Sequence, residues 1–296
     1  MSNEITVGHS EEYASNVNLL SQQMNSRFES AVTVQGVTGK TAQMMQQIGS
    51  VTAQKRTTRH ADTPLIETPH DSRWVFPVDY EWADLIDKQD DRGVRAIVDF
   101  ESSYVRNGAA AMKRAMDAEV FDAFFSDTTK TGEDAGTTTT WTAFVAANSA
   151  HQIAHGSTGL TAAKIKSAIK ALRAANVDLS METPFCAVSS EDIEDLQLED
   201  QYINYDYSDA RALNASAADI KPFLGVRFVH YEPVNSGSTR SVPLWVPSGM
   251  GLGVFDSIEA RVSERPDKSY TKQVYTCGTF GATRLEEKKI VEIQCQ

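Results

Sequence analysis

The amino-acid sequence predicts an α+β protein: one long helix, a projecting pair of strands before it, and antiparallel strands closing the chain. Three observations carry this. Every fourth position from Phe100, namely Phe100, Tyr104, Gly108, Met112, Met116, Val120 and Phe124, falls on one helical face. In RWVFPVDYEW the residues Trp74, Phe76, Val78, Tyr80 and Trp82 occupy one side of a period-two alternation, with Arg73, Pro77, Asp79 and Glu81 on the other. From Leu252 onward the chain reads as strands separated by a turn at Pro266–Asp267, ending in KKIVEIQC with Val291, Ile293 and Cys295 on one face.

Composition sets the outer limits. At 296 residues the chain is long for one compact core, so two lobes or a lobe with extended arms are expected. A hydrophobic share of 41% suffices for a core, and 23% charged residues is ordinary for a folded protein. No run of about 18 apolar residues exists, so no membrane-spanning helix is expected. The opening MSNEITVGHSEEY lacks a basic region followed by an apolar run, which argues against a secretory signal and for action in the cytoplasm where the chain is made. Cys186, Cys277 and Cys295 form no CxxC pair and are expected as buried free thiols. A net charge of −12 repels phosphate backbones, which excludes a sequence-reading nucleic-acid binder but suits a container that holds nucleic acid without gripping it.

Each element has a local reason. Residues 1 to about 45 are polar, with a loose apolar pattern at Val17, Leu19, Leu20, Met24 and Phe28 that suits an arm ordered against a partner. The segment SVTAQKRTTRHADTPLIETPHDS is long and polar and leads into the aromatic alternation, so Met45 to Asp87 is expected as a projecting two-stranded loop. Pro77 lacks a donor, which places its strand at an edge. The long helix is capped by Ser102 or Ser103, favoured by Ala109–Ala111, and broken at Asp127–Thr129. A Thr- and Gly-rich surface loop follows, then a helix in LTAAKIKSAIKALRAANV capped by Thr161, with Ile165, Ala168, Ile169 and Leu172 on one face. METPFCAVSS reads as a buried strand entering an acidic helical turn capped by Ser190. Residues 200 to 220 read as a loop, and GVRFVHYEPV and TRSVPLWVP as strands.

No catalytic, cofactor or metal constellation survives inspection. GVTGKT at Gly36–Thr41 has two residues between its glycines where a phosphate-binding loop needs four, and no buried strand precedes it. His151 and His155 have metal-ligand spacing without a third ligand nearby and read as core or solvated histidines. Glu191, Asp192, Glu194, Asp195, Glu199 and Asp200 lack the glycine and alternation of a calcium loop and read as a solvated face. The glycines of SGMGLG read as a bend between strands. A cysteine nucleophile would need His230 beside Cys186 or Cys277, which spacing does not provide. The basic trio Lys55, Arg56 and Arg59 reads as pairing with carboxylates across an interface.

The order of elements resembles the major capsid proteins of tailed bacteriophages, the Hong Kong 97-type fold. The likeness is carried by WADLIDKQDDRG (Trp82 to Gly93), by SSYVRNGAAAMKRAMDAEVFDAF with Arg114 and Asp117 (Ser102 to Phe124), by LTAAKIKSAIKALRAANVDL, by IKPFLGVRFVHYEPV, and by FGATRLEEKKIVEIQC (Phe280 to Cys295). The resemblance implies an N-terminal arm (1–44), an extended β-hairpin loop (45–88), a peripheral domain with the spine helix (89–183), an axial domain (184–243) and peripheral return strands (244–296). It implies self-assembly into hexamers and pentamers of an icosahedral virion shell around double-stranded DNA, without sequence-specific contacts and without a membrane. A separate scaffolding protein, a portal and an optional cement protein are the implied partners, with assembly in the host cytoplasm. Lys55, Arg56, Arg59, Trp74, Phe76, Tyr80 and Trp82 are the expected inter-subunit contacts, since an apolar strip on a projecting loop is an interface. An encapsulin-type nanocompartment shell protein shares the fold, and a hydrolase using His230 and a cysteine is the alternative from another class.

Overall fold

The computed structural model describes residues 22–59, 65–86, 100–199, 222–234 and 239–296. Val17, Leu19, Leu20, most of the lead-in to the long helix and all of the stretch 200–220 read from sequence as a loop lie outside the described residues. The chain forms two compact units. One takes in the described parts of Met1–Asn25, Asp79–Ala115 and Ser257–Gly278; the other takes in those of Ser26–Val78, Met116–Asp256 and Thr279–Gln296.

The long helix, α1, runs Phe100–Phe125. Its four-residue ladder is buried at Gly108, Met112, Met116, Val120 and Phe124, while Tyr104 is half-buried and the side chain of Phe100 lies outside the described residues. In the first unit, Gly108 permits a close approach: a Cβ there would lie 2.5 Å from Thr276 Oγ1 and 2.8 Å from the Trp82 ring. The Tyr275 hydroxyl donates to Glu81 Oε2 at 3.3 Å, and Arg114 Nη1 donates to Gln22 Oε1 at 2.8 Å.

In the second unit, the polar arm contributes to the core. Asp117, fully buried on α1, accepts from Ser26 Oγ (2.5 Å) and from the backbone N–H groups of Arg27 (2.9 Å) and Phe28 (3.4 Å). This seats Phe28 at ring-centroid distances of 4.9 Å from Tyr231, 5.8 Å from Trp245 and 6.2 Å from Phe124. The sequence expectation of an arm outside the core is therefore corrected for Phe28, Ala31, Val32 and Val37, all buried. One large apolar side chain with a backbone-binding carboxylate is enough to anchor a polar segment. Beyond it, β1 (Thr33–Gly36) pairs in parallel with the start of β11 (Met250–Arg265).

The aromatic stretch is also corrected. Arg73–Trp82 is two strands, β3 (His70–Val75) and β4 (Val78–Ile86), broken at Phe76–Pro77. The break coincides with a change of sheet. β3 lies between β2 (Ala42–Ile48) and β5 (Thr129–Thr131), with β6 (Thr137–Thr139) beyond, whereas β4 edges the sheet ordered β1, β11, β12 (Thr271–Arg284), β4. Pro77 offers no N–H to either ladder. Gly281 makes room for the turn, since a Cβ there would meet the Phe76 carbonyl at 2.1 Å.

The second unit also holds a five-stranded sheet ordered β7 (Gln152–Ile153), β13 (Ile290–Cys295), β10 (Arg240–Trp245), β8 (Phe185–Val188) and β9 (Arg227–His230). Pro243 is tolerated in central β10 because the β8 pairing begins one residue later, at Leu244. β13 is buried on both faces, not one. Glu292 accepts from Trp141 Nε1 (2.8 Å), Gln152 Nε2 (2.9 Å) and Ser241 Oγ (2.7 Å). Three helices complete the unit: α2 (Trp141–Ala147), α3 (Ala162–Ala174), which packs on β13, and α4 (Ser190–Leu198). Thr140 caps α2 and Thr161 caps α3. The cap of α4 is Ser189 in a reciprocal box with Asp192, where the sequence suggested Ser190.

The end of α1 is closed by Arg284, whose guanidinium is fully buried. Its Nη1 donates to the carbonyls of Ala123 (3.1 Å), Phe124 (3.3 Å) and Ser126, and Nη2 donates to Thr139 O (3.3 Å). Burial pushes the guanidinium down to about 10, still charged at neutral pH. Arg284→Met should strip these carbonyls of their donor and lower stability by about 3 kcal/mol, read as a shifted urea midpoint of the unassembled chain. Gly108→Ala sets a helix-propensity gain of about 1 kcal/mol against an overpacking cost of about 1–3 kcal/mol. The 2.5 Å approach to Thr276 makes the cost win, so thermal unfolding should shift downward.

Candidate inter-subunit surface

The surface expected from sequence begins where β2 and β3 stop pairing. Their antiparallel register ends at Ile48 with His70, and Gly49 N–H closes the stem on Pro69 O at 2.8 Å. Past that bond the described residues up to Arg59 make one side-chain hydrogen bond, Arg56 Nε donating to Thr58 O at 3.1 Å. Every residue from Ile48 to Arg59 is exposed, including Lys55, Arg56 and Arg59, and Leu65 is 98% exposed. Ile48 (70%) and Val51 (53%) add apolar area to the same segment. Exposed aliphatics beside cations that make no ion pair among the described residues are the composition expected of a contact surface.

The aromatic residues are distributed differently from the single strip predicted. The Trp74 indole is half-buried, its Nε1 donating to Ser72 Oγ (3.0 Å) and Gly132 O (2.8 Å). Phe76 (40% exposed) and Val78 (39%) flank a cavity of about 260 Å³ that Trp74, Ala123 and Ala282 also line. Tyr80 and Trp82 are half-buried and belong to the first unit. Arg73, on the polar side of the alternation, is buried. Its guanidinium bridges Asp71 Oδ2 and Glu287 Oε2, each at 2.9 Å, and donates through Nε to Leu285 O at 3.0 Å. Sequence reasoning gave Arg73 no role, and alternation alone carries no sign that a charged position will be covered.

The other motifs have structural uses. His151 ends a short 3₁₀ turn, buried, its Nδ1 3.0 Å from Ile290 O, and His155 Nδ1 accepts from Ser157 N–H, so the two share no helix face. The acidic run of α4 is solvated only in part: Glu191 and Glu194 are exposed and Asp200 lies outside the described residues, but Asp192 is buried, and Glu191, Asp192 and Asp195 surround the buried Arg240, with Asp192 and Asp195 oxygens 3.3 Å from its guanidinium nitrogens. Gly249 ends a 3₁₀ turn between β10 and β11, as the bend reading expected, whereas Gly251 and Gly253 lie within strand β11 against Met44, Leu285, Val37 and Val75. Burial raises the thiol of Cys186 and pushes that of Cys295 up to about 12, which keeps both protonated and unreactive. His230 meets Arg27, Ser190 and Glu232. Among the described residues no group of three His, Cys, Asp or Glu side chains is placed to hold a metal ion, and no helix is long and apolar enough to cross a membrane.

Comparison with known proteins gives the class. Solved structures similar to this chain include the capsid asymmetric unit of cyanophage Pam1 (TM-score 0.71, 14% identity, 98% of this chain and 97% of that one). Others are Mycobacterium phage Che8 (0.65, 16%, 96% of each) and the mature capsid of bacteriophage PhiM1 (0.66, 12%, 97% and 92%). The fold is that of the Hong Kong 97-type capsid subunits. No curated protein sequence matched. The sequence family described as phage capsid protein matches residues 5–296, and the chain belongs to that family.

The Arg73 bridge is testable. Arg73→Ala leaves Glu287, 9% exposed at its side chain, as a buried charge without its partner, and should cost about 3–5 kcal/mol. Adding Glu287→Gln should return part of that loss, measured as the coupling in a double-mutant unfolding cycle.

Proposed function

We propose that this chain is the major, shell-forming capsid subunit, assembling as hexamers and pentamers into the icosahedral shell around the double-stranded DNA of a tailed phage. Membership of the phage capsid family supports the reading, and the observation that carries it is the wholly exposed segment from Ile48 to Arg59. A chain does not keep exposed aliphatics and unpaired cations on a closed hairpin stem for its own stability; their free energy is realised between copies. The full-length overlap with subunits described as capsid asymmetric units, the repeating pieces of shells, points the same way.

In this reading residues 1–44 are the arm, 45–88 the extended loop, 89–183 and 244–296 the peripheral domain, and 184–243 the axial domain. Lys55, Arg56 and Arg59 contribute charge at the contacts, with Trp74, Phe76, Tyr80 and Trp82 as apolar anchors beside them. A separate scaffolding protein would guide closure, a portal would occupy one vertex, and a cement protein could reinforce the lattice, with assembly in the host cytoplasm before the shell enters the virion. Net charge of −12 per copy suits an enclosure that releases its DNA without gripping it. Family membership favours a phage shell over a bacterial nanocompartment and over a hydrolase.

Electron microscopy of the expressed chain tests this directly, with closed particles as the expected result. Ile48→Asp combined with Leu65→Asp should leave the unfolding midpoint of the subunit within about 0.5 kcal/mol, because neither side chain is covered. The same pair should cut the yield of closed particles by about tenfold or more, since a small loss per contact is multiplied over a lattice. Normal particles from the double variant, or no particles from the parent chain, would refute the proposal.

A further inference from the structure

We infer that the groove where α2 and α3 end binds an extended acidic segment of a partner protein, whose carboxylate meets Lys288 and whose main-chain N–H groups meet His151 and Asn148. The site shares no residue with the hairpin surface and stands independently of the shell-forming reading.

The groove encloses about 430 Å³, within the range of cavities that bury a ligand. It lies in the second unit, between the C-terminal ends of α2 and α3 and the turn that carries Lys288. Ala171, Ala174 and Ala175 form one wall, so no long side chain of α3 fills it. A wall of small residues alone specifies no ligand. The specificity comes from His151, a side chain only 5% exposed that lines the same groove. Its Nδ1 is 3.0 Å from Ile290 O, and a carbonyl only accepts, so Nδ1 carries the proton and Nε2 of the neutral ring is an acceptor. That Nε2 has no hydrogen-bond partner among the described residues. Asn148, also in the lining, commits its Nδ2 to Phe144 O at 3.1 Å, which leaves Oδ1 as a second acceptor.

Charge adds the third requirement. Lys288 lines the groove, and Lys170 and Arg173 are exposed on the last turns of α3; none of the three makes an ion pair among the described residues. In a chain of net charge −12 this is a local basic site, and no acidic side chain is among the lining residues. A free small carboxylate would meet Lys288 and leave both acceptors without donors. An extended acidic peptide satisfies all three at once, because its main chain carries unspent N–H groups, its side chain carries the carboxylate, and the alanine wall lets its backbone come close. Glu194 of a second copy does not qualify: it stands past the first turn of α4, where main-chain N–H groups are spent within the helix.

The test titrates the full-length chain, labelled with ¹⁵N-histidine, with the capped peptide acetyl-Ala-Glu-Ala-Glu-Ala-amide. The peptide should shift the His151 Nε2 resonance, and a carbodiimide should then join it to Lys288. Lys288→Gln should weaken binding at least about fivefold, and so should Ala174→Leu, which fills the groove from an exposed position and leaves the fold intact. A peptide with N-methylated backbone should bind at least about fivefold more weakly than its parent. Lys288→Glu should reverse the preference, towards acetyl-Ala-Lys-Ala-Lys-Ala-amide. No resonance shift at about 5 mM peptide would overturn the inference, as would binding indifferent to Lys288→Gln or to Ala174→Leu. Displacement of the peptide by an equal concentration of glutarate, or equal binding of the N-methylated peptide, would reduce the site to a small-carboxylate site and overturn it too. A carbodiimide link from Lys288 to a second copy of the chain, with the peptide excluded, would assign the groove to self-contact and overturn the partner.

Discussion

A buried guanidinium holds the end of the long helix. The last carbonyls of α1 have no partners within the helix, and a helix end carries partial negative charge. Arg284 answers both at once. It donates to Ala123, Phe124 and Ser126, reaches Thr139 with its other arm, and lies 5.7 Å over the Trp141 ring. A lysine, with one compact charge, could not serve acceptors spread across three segments; the planar fork can. The turn after the helix, the strand pair β5–β6 and the entry to α2 all take their position from this one side chain.

The opposite problem is solved at Asp117. A polar arm has too little apolar area to enter a core unaided. A carboxylate accepting two backbone N–H groups and a hydroxyl fixes Ser26–Phe28 in register, and Phe28 then fills the space between Tyr231, Trp245 and Phe124. Trp245 in turn donates to Ala31 O at 2.7 Å, so the arm is held by both backbone and side chain. The chain thus spends a buried charge at each of two places along α1, one receiving backbone donors and one satisfying backbone acceptors.

Much of this order is legible in the sequence because it depends on local period. The ladder Gly108, Met112, Met116, Val120, Phe124 and the Thr161-capped face of Ile165, Ile169 and Leu172 need only the chain's own spacing to be read. The antiparallel closing strands are legible for the same reason. What escapes is decided by tertiary contact. Alternation runs unbroken through Phe76 and Pro77, yet the chain changes sheets there because Gly281 lets the Phe76 carbonyl approach. Arg73, Arg240 and Arg284 look like surface charges until carboxylates or carbonyls distant in sequence surround them. Of the surface residues, Lys55, Arg56 and Arg59 stand out as a basic trio, but Ile48 and Leu65 do not, since an isolated aliphatic carries no mark of exposure.

The bare segment beyond the Gly49–Pro69 bond separates two kinds of selection on one gene. Core positions answer to whether the polypeptide reaches its native state. Positions from Val51 to Arg59 are all exposed, so a substitution there costs folding little and is judged chiefly by neighbouring molecules. Such a stretch can drift in step with its receiving surface and change which subunits co-assemble. Two lineages could then share one fold, meet in one cell, and still build their particles apart.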